Sequence, residues 1–167
     1  MFNSKLVSFV FCLLSITLFN SQSFAKDLTH RLGVGPRSPF SFALPALGVN
    51  YHFSRELSAV GAFGLDTSTS DSKMGLMAGI RRVIFEEGHM NYFGGGSVAM
   101  VSNEVANTTR SGVELSASLG GEFFLPGLDN LAFQFEMGVQ VISMSKGGSK
   151  LQTFGDTPIK AGAIFYF

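Results

Sequence analysis

The 167-residue chain has little of three things that organise many small proteins: cysteine, charge of one sign and long apolar segments. Its one cysteine, Cys12, lies near the N-terminus, so disulfide bonds are not expected to hold the fold together. Twelve basic side chains balance twelve acidic ones, which argues against nucleic acid as a partner. After the first 25 residues, no segment approaches the roughly 20 consecutive apolar residues of a transmembrane helix.

The N-terminal residues predict an export signal. Lys5 supplies a positive charge, Leu6–Phe19 is almost wholly apolar, and Ser23 to Ala25 fits a small-x-small cleavage site. The apolar run has about 14 residues, which is too short for an anchor that must span roughly 20. We therefore expect a cleaved signal peptide at residues 1–25 and one domain at residues 26–167.

In the rest of the chain, apolar residues alternate with polar or small ones. The clearest case is Leu131–Val141, where every odd position is apolar and the even positions include Gln134 and Glu136. A period of two predicts a β-strand with one apolar face, because successive side chains point to opposite sides. The predicted strands are Leu28–Gly35, Leu47–Phe53, Leu57–Leu65, Met74–Phe85, Met90–Ser102, Val113–Leu125, Leu131–Val141 and Ile159–Phe167.

The predicted connections alternate between short and long. The short, polar turns are Ser54–Glu56, Glu86–His89 and Pro126–Asn130, and the longer segments are Pro36–Ala43, Thr67–Lys73, Glu104–Arg110 and Gly147–Pro158. This alternation, with an even number of strands, predicts an all-β fold: an eight-stranded antiparallel up-and-down transmembrane β-barrel. In such barrels the short turns and both termini face the periplasm, and the long loops face the outside.

A soluble carrier barrel would also alternate, with its apolar face turned inward. Here the second face consists of glycine, serine and alanine with a few charges, which is too sparsely polar for a surface in water. Small residues suit the narrow lumen of eight strands, so the membrane barrel is favoured. Arg82 alone breaks the apolar face, and it lies near a strand end where a basic side chain can reach the headgroups.

Aromatic residues near the short-turn ends of the strands support this choice. Such a ring is typical of the interfacial girdle of membrane barrels. The predicted girdle consists of Tyr51, Phe53, Phe85, Tyr92, Phe123, Phe133, Phe165 and Phe167.

The last strand carries a family resemblance. The closing residues, Ala161 to Phe167, alternate and end in phenylalanine, which resembles the C-terminal signature of Gram-negative outer-membrane proteins. The domain at 26–167 is similar to the small barrels of the OmpA-like or OmpX-like superfamily. The resemblance implies recognition by the barrel-assembly machinery. No peptidoglycan-binding domain is expected, so cell-wall anchoring is not carried over from the full-length OmpA type.

Charged residues on the inner face are the candidate functional group. Lys160 and Glu136 fall on neighbouring strands, and Arg31 is expected to join them where the first strand meets the last. Charges confined in a lumen must pair, so they predict a structural ion-pair plug; a gated ion path is the alternative. The predicted lumen network consists of Arg31, Asp66, Arg81, Glu114, Glu122, Glu136 and Lys160.

No cofactor or metal is expected. His30, His52 and His89 are scattered without metal-ligand spacing. His52-Phe53-Ser54 is similar to the His-x-Ser element of barrel lipid A deacylases, but it falls at a predicted periplasmic turn rather than at the outer rim. We therefore predict a non-enzymatic protein with a structural or surface-interaction role, with a lipid-modifying enzyme or a soluble periplasmic carrier as alternatives.

The long loops hold the remaining candidates for contacts. Phe40 and Phe42 in the first long loop, and Lys150 and Phe154 in the last, could touch lipopolysaccharide or a partner, or could fold over the barrel mouth. The expected partners are outer-membrane lipid, lipopolysaccharide and the barrel-assembly machinery, and the protein is expected to be monomeric.

Overall fold

The computed structural model describes residues 27–67, 71–105, 108–145, 148–154 and 159–167. The predicted signal peptide therefore lies outside the described residues. No helix in the described part of the chain is long and apolar enough to cross a membrane. The strands are β1 (Leu32–Arg37), β2 (Ala46–His52), β3 (Leu57–Thr67), β4 (Asp71–Glu87), β5 (Met90–Val105), β6 (Thr108–Phe124), β7 (Leu131–Met144), β8 (Gly148–Thr153) and β9 (Lys160–Tyr166).

The strands close into an antiparallel barrel. From β1 to β7 each strand pairs with the next along the chain, and the circle closes because β9 pairs with both β7 and β1. Two segments share the eighth position in the wall. β8 pairs with Val139–Met144 of β7, toward the long-loop end, and β9 pairs with Leu131–Glu136, toward the short-turn end. The predicted eight-stranded up-and-down β-barrel is confirmed.

Some predicted boundaries were wrong. β1 begins at Leu32 rather than Leu28, because a turn precedes it in which His30 has a φ of 61°. The segments expected to be the second and third long loops belong largely to strands, since β3 to β6 extend beyond the predicted ends. The last long loop contains β8, which forms a hairpin with the end of β7.

The two faces of the wall differ as the alternation predicts. Along β2, Leu47, Val49 and Tyr51 are exposed on the outside, whereas Gly48, Asn50 and His52 are buried inside. The same rule holds around the barrel, so the outer surface is a continuous apolar belt. Its exposed members include Phe63, Leu65, Leu76, Ile80, Val98, Met100, Leu115, Leu119, Met137 and Val139.

Candidate functional site

The inward-facing side chains fill the lumen in three layers. At the short-turn end lies a lower cluster of Leu28, Phe124, Ala132, Ile164 and Tyr166. An ionic layer of Arg37, Arg81, Gln134 and Glu136 lies above it. At the long-loop end lies an upper cluster of Phe40, Leu44, Ala46, Val60, Ala62, Met77, Ala99 and Val101.

Glu136 is the centre of the ionic layer. Its Oε1 accepts hydrogen bonds from Nη2 of Arg37 at 2.6 Å and from Nη2 of Arg81. The three residues come from β7, β1 and β4, so the contact joins different sides of the barrel. Arg81 also lies over the ring of Phe93, with 4.3 Å between its Cζ and the ring centroid. Each guanidinium in this buried layer therefore has a carboxylate partner.

The polar contacts continue from the ionic layer toward the lower cluster. Nη1 of Arg81 donates to Oε1 of Gln134 at 3.1 Å, and Nε2 of Gln134 donates to Oε1 of Glu122 at 2.6 Å. Glu122 also accepts from the Tyr166 hydroxyl at 2.5 Å. Asn50 donates to the oxygen of that hydroxyl at 3.2 Å. The ionic layer is thus tied to β6, β9 and β2 as well.

Two further lumen charges contact the chain segment at 38–45, which folds into the barrel. The Lys160 ammonium donates to the backbone carbonyl of Pro39, and also to Oε1 of Gln140 at 3.3 Å. Glu114 accepts from the Ser41 backbone N–H at 3.2 Å and from the Ser41 hydroxyl. Lys160 lies opposite Glu136 in the β7–β9 ladder, but its side chain points to these other partners.

The interior is balanced in charge and nearly filled. Arg37, Arg81 and Lys160 carry three positive charges, and the buried carboxylates Glu114, Glu122 and Glu136 carry three negative ones. Beside the ionic layer is a cavity of about 10 Å³, with Ser97 and Ser118 in its lining. This volume has room for about one water molecule. Little free space is therefore left beside the ionic layer.

Two predicted members of the lumen network lie elsewhere. Arg31 precedes β1, and its Nη1 donates to Oδ1 of Asn130 at 3.1 Å near the short-turn end. Asp66 is exposed near the long-loop end of β3 and pairs in the ladder with Lys73. Arg37 occupies the place expected for Arg31. Sequence reasoning missed it because it fell in a predicted loop, although it has the same parity as Arg31.

The predicted girdle residues lie on the outside of the barrel near the short turns. Edge-to-face ring contacts join Tyr51 to Phe53 and Phe165 to Phe167, with centroids 5.2 Å apart in both pairs. Phe85 lies 5.6 Å from Tyr92. Phe123 pairs with Phe133 in the β6–β7 ladder. These contacts make a band of aromatic surface at one end of the apolar belt.

Charged residues border this band at the short turns. Arg82 is exposed and pairs with Glu56 at 3.2 Å, so its charge lies at the rim rather than in the middle of the belt. Arg55 makes two hydrogen bonds to Glu86, at 3.1 Å and 2.5 Å. The hydrogen-bonded carboxylate raises the pKa of the Arg55 guanidinium.

The His52–Ser54 element does not form a catalytic arrangement. The His52 ring is buried beside Tyr166, with 3.5 Å between His52 Nε2 and the Tyr166 hydroxyl. The Ser54 hydroxyl oxygen instead accepts from the Leu57 backbone N–H at 3.1 Å, which closes the turn. Among the described residues no group of three histidine, cysteine or acidic side chains is placed to hold a metal ion.

Comparison with known proteins concerns the fold. No protein-family model matches the chain, and no curated protein matches it. Among solved structures, it is similar to the crystal structure of the N-terminal β-barrel domain of Pseudomonas aeruginosa OprF. The match has a TM-score of 0.55 and covers 85% of this chain and 100% of that one. The chain has the fold of a small outer-membrane barrel.

At 9% sequence identity, the likeness to the OprF domain extends to the fold alone. It confirms, at that level, the resemblance to the OmpA-like small barrels that the alternating C-terminal strand indicated. Phe40 and Phe154 were expected either to touch lipopolysaccharide or a partner or to fold over the barrel mouth, and both are buried inside the barrel.

Proposed function

We propose that this protein is an integral outer-membrane barrel with a structural or surface-interaction role and no enzymatic activity. Its lumen is plugged by the ionic layer, its long loops face the outside, and both termini face the periplasm. It contacts outer-membrane lipid and lipopolysaccharide as a monomer, after export by the signal peptide at residues 1–25 and insertion by the barrel-assembly machinery.

The reversed polarity of the barrel carries the proposal. Large apolar side chains such as Ile80 and Met100 are more than 60% exposed, whereas Glu122 and Arg81 are about 95% buried. In water this arrangement would leave a broad apolar surface without a partner. In a bilayer the apolar belt contacts acyl chains, and the aromatic band lies at an interface.

The filled lumen favours a structural role over transport. Eight strands enclose an interior that side chains can fill, and here both apolar clusters and the ionic layer occupy it. Breaking the contacts of Glu136 would leave two buried guanidinium groups without their carboxylate, which is costly. A lipid-modifying enzyme finds no support at His52, because its ring is buried beside Tyr166 and the Ser54 hydroxyl instead accepts a hydrogen bond from the Leu57 backbone.

Gel mobility tests the membrane-barrel part of the proposal. Protein purified in detergent should run as a compact band in SDS when unheated and as a slower band after boiling, because closed barrels resist SDS until heated. A single band at the same position under both conditions would contradict the proposal. So would a monodisperse protein purified without detergent, which would favour the soluble carrier.

Activity assays separate the enzymatic alternative. Any lipid A deacylation measured with the wild-type protein in mixed micelles should be indistinguishable from that of the double variant His52→Ala and Ser54→Ala. A reproducible activity that the double variant loses would overturn the non-enzymatic assignment.

A further inference from the structure

The segment at 38–45 is built differently from the wall around it. It joins Arg37 of β1 to Ala46 of β2, which are paired with each other at the end of the β1–β2 ladder. Its two ends are therefore held side by side, as in a flap on a hinge. Pro39 and Pro45 lie within the segment and lack a backbone N–H, so neither can donate a hydrogen bond that would continue the ladder.

Among the residues that the structure describes, the strands end early where the segment enters the lumen. β3 continues to Thr67, beyond its last pair with β2, and β8 extends the opposite side of the barrel upward. Between them β1 and β2 stop at Arg37 and Ala46. The segment can therefore leave the lumen on this side without breaking a strand pairing.

The barrel interior is shaped to receive the segment. Phe40 and Leu44 are 5% and 1% exposed, and they pack against Val60, Ala62 and Met77 in the upper cluster. A side chain at Gly75 would collide with the Phe40 ring, and one at Gly64 would press on Leu44. The wall thus leaves space for these two apolar groups.

Beyond its root, the described polar contacts of the segment with the wall involve two charged residues. The Ser38 backbone N–H donates a hydrogen bond to the Ala161 carbonyl next to the hinge, at 3.3 Å. Further along the segment, Lys160 binds the carbonyl of Pro39 and Glu114 binds the N–H and hydroxyl of Ser41. They come from β9 and β6, the two strands that flank β7, and neither forms an ion pair with the ionic layer.

We propose that residues 38–45 form a flap over the upper lumen, and that Glu114 and Lys160 are the latch that keeps it closed. When the flap opens it uncovers a blind chamber, because the ionic layer of Arg37, Arg81 and Glu136 closes the floor. The flap therefore controls access to the upper lumen, and its opening does not make a pore.

Thiol accessibility tests the latch. Leu44→Cys is introduced into a Cys12→Ala chain, which removes the one native cysteine, and a membrane-impermeant maleimide is added to the folded barrel in lipid vesicles. Replacing the latch, by Glu114→Ala or Lys160→Met, should speed labelling by about tenfold, the factor expected from losing one charge-assisted hydrogen bond. If Leu44→Cys does not fold, Phe40→Cys reports on the same flap.

Two controls separate flap opening from general loosening. Ser97→Ala removes a lumen hydrogen bond, to Ser116 at 2.7 Å, that does not involve the flap, so it should leave labelling at residue 44 unchanged. Ala132→Cys, in the lower cluster, should be labelled by the maleimide at the same slow rate whether or not the latch is intact. Gly75→Ala, which crowds Phe40 without touching the latch, should also accelerate labelling at residue 44.

Three results would overturn the proposal. Unchanged labelling at residue 44 in both latch variants would overturn the proposal, and so would equal acceleration at residue 132. Ion conductance through either latch variant would show that the chamber is not blind and would also overturn it. If the wild-type barrel conducts no ions and neither latch variant changes the labelling rate, the flap is rejected but the proposed structural role is unaffected.

Discussion

The two ends of the lumen are closed by different parts of the chain. At the short-turn end, the lumen is closed by four side chains on strands: Phe124, Ala132, Ile164 and Tyr166. In this cluster only Leu28 comes from outside a strand. At the long-loop end, Phe40, Leu44 and Phe154 come from connections that fold back into the barrel. One end is closed by the wall itself and the other by inserted segments.

We therefore expect truncation of a buried side chain to change the free energy of unfolding by different amounts at the two ends. Side chains on paired strands cannot move away when a neighbour is removed, because the ladder fixes their positions. A connecting segment can shift to refill part of the space. The ionic layer lies between the two ends and joins three strands through one carboxylate, so we expect the largest effects there.

Glu136→Ala is expected to have the largest effect on stability. It leaves the Arg37 and Arg81 guanidinium groups buried without their shared carboxylate, and breaking a buried pair in this way costs about 3–5 kcal/mol. The measurement is urea unfolding in lipid vesicles, followed by gel mobility. The matched control is Glu87→Ala at the exposed end of β4, and an equal effect of both variants would contradict the assigned role.

Leucine truncation compares the two ends directly. Leu28→Ala should lower the free energy of unfolding by about 3 kcal/mol, because the lower cluster around it is fixed by strands. Leu44→Ala should cost less, about 2 kcal/mol, because the flap can move to close the cavity. Both are measured by the same urea titration. A larger loss at Leu44 would reverse the comparison.

Tyr166→Phe is expected to have a smaller effect than these three substitutions. The ring still fills the lower cluster, but Glu122 loses a charge-assisted hydrogen bond, which costs about 1.5 kcal/mol. Tyr51→Phe, on the exposed aromatic band, serves as the control and should change stability by less than about 0.5 kcal/mol. Equal losses would mean that the Glu122 contact does not contribute.

The wall could be predicted from the sequence because one physical rule governs it. In β2, β7 and β9 successive residues face the outside and the lumen in turn, so period-two patterns give both the strands and their inward faces. Glu136, Glu122 and Lys160 were placed inside by parity alone. Arg37 of β1 has the same parity as Arg31, which precedes the strand, because their sequence positions differ by an even number.

The inserted segments could not be predicted because no period marks them. The turn at His30 delays the start of β1, which carries Leu28 into the short-turn end of the barrel and replaces Arg31 with Arg37 at the ionic layer. Prolines end the β1–β2 ladder, but they do not indicate whether the released segment turns outward or inward. Phe154 likewise lies between β8 and β9, where the pairing with β7 changes register.

Ion conductance of the wild-type protein tests the central claim, a membrane barrel with a sealed lumen. Folded protein is inserted into planar lipid bilayers, with a large porin as the positive control for insertion. The three filled layers predict no conductance above that of the protein-free bilayer. A stable, reproducible conductance from wild-type protein that gel mobility shows to be folded would contradict the sealed lumen.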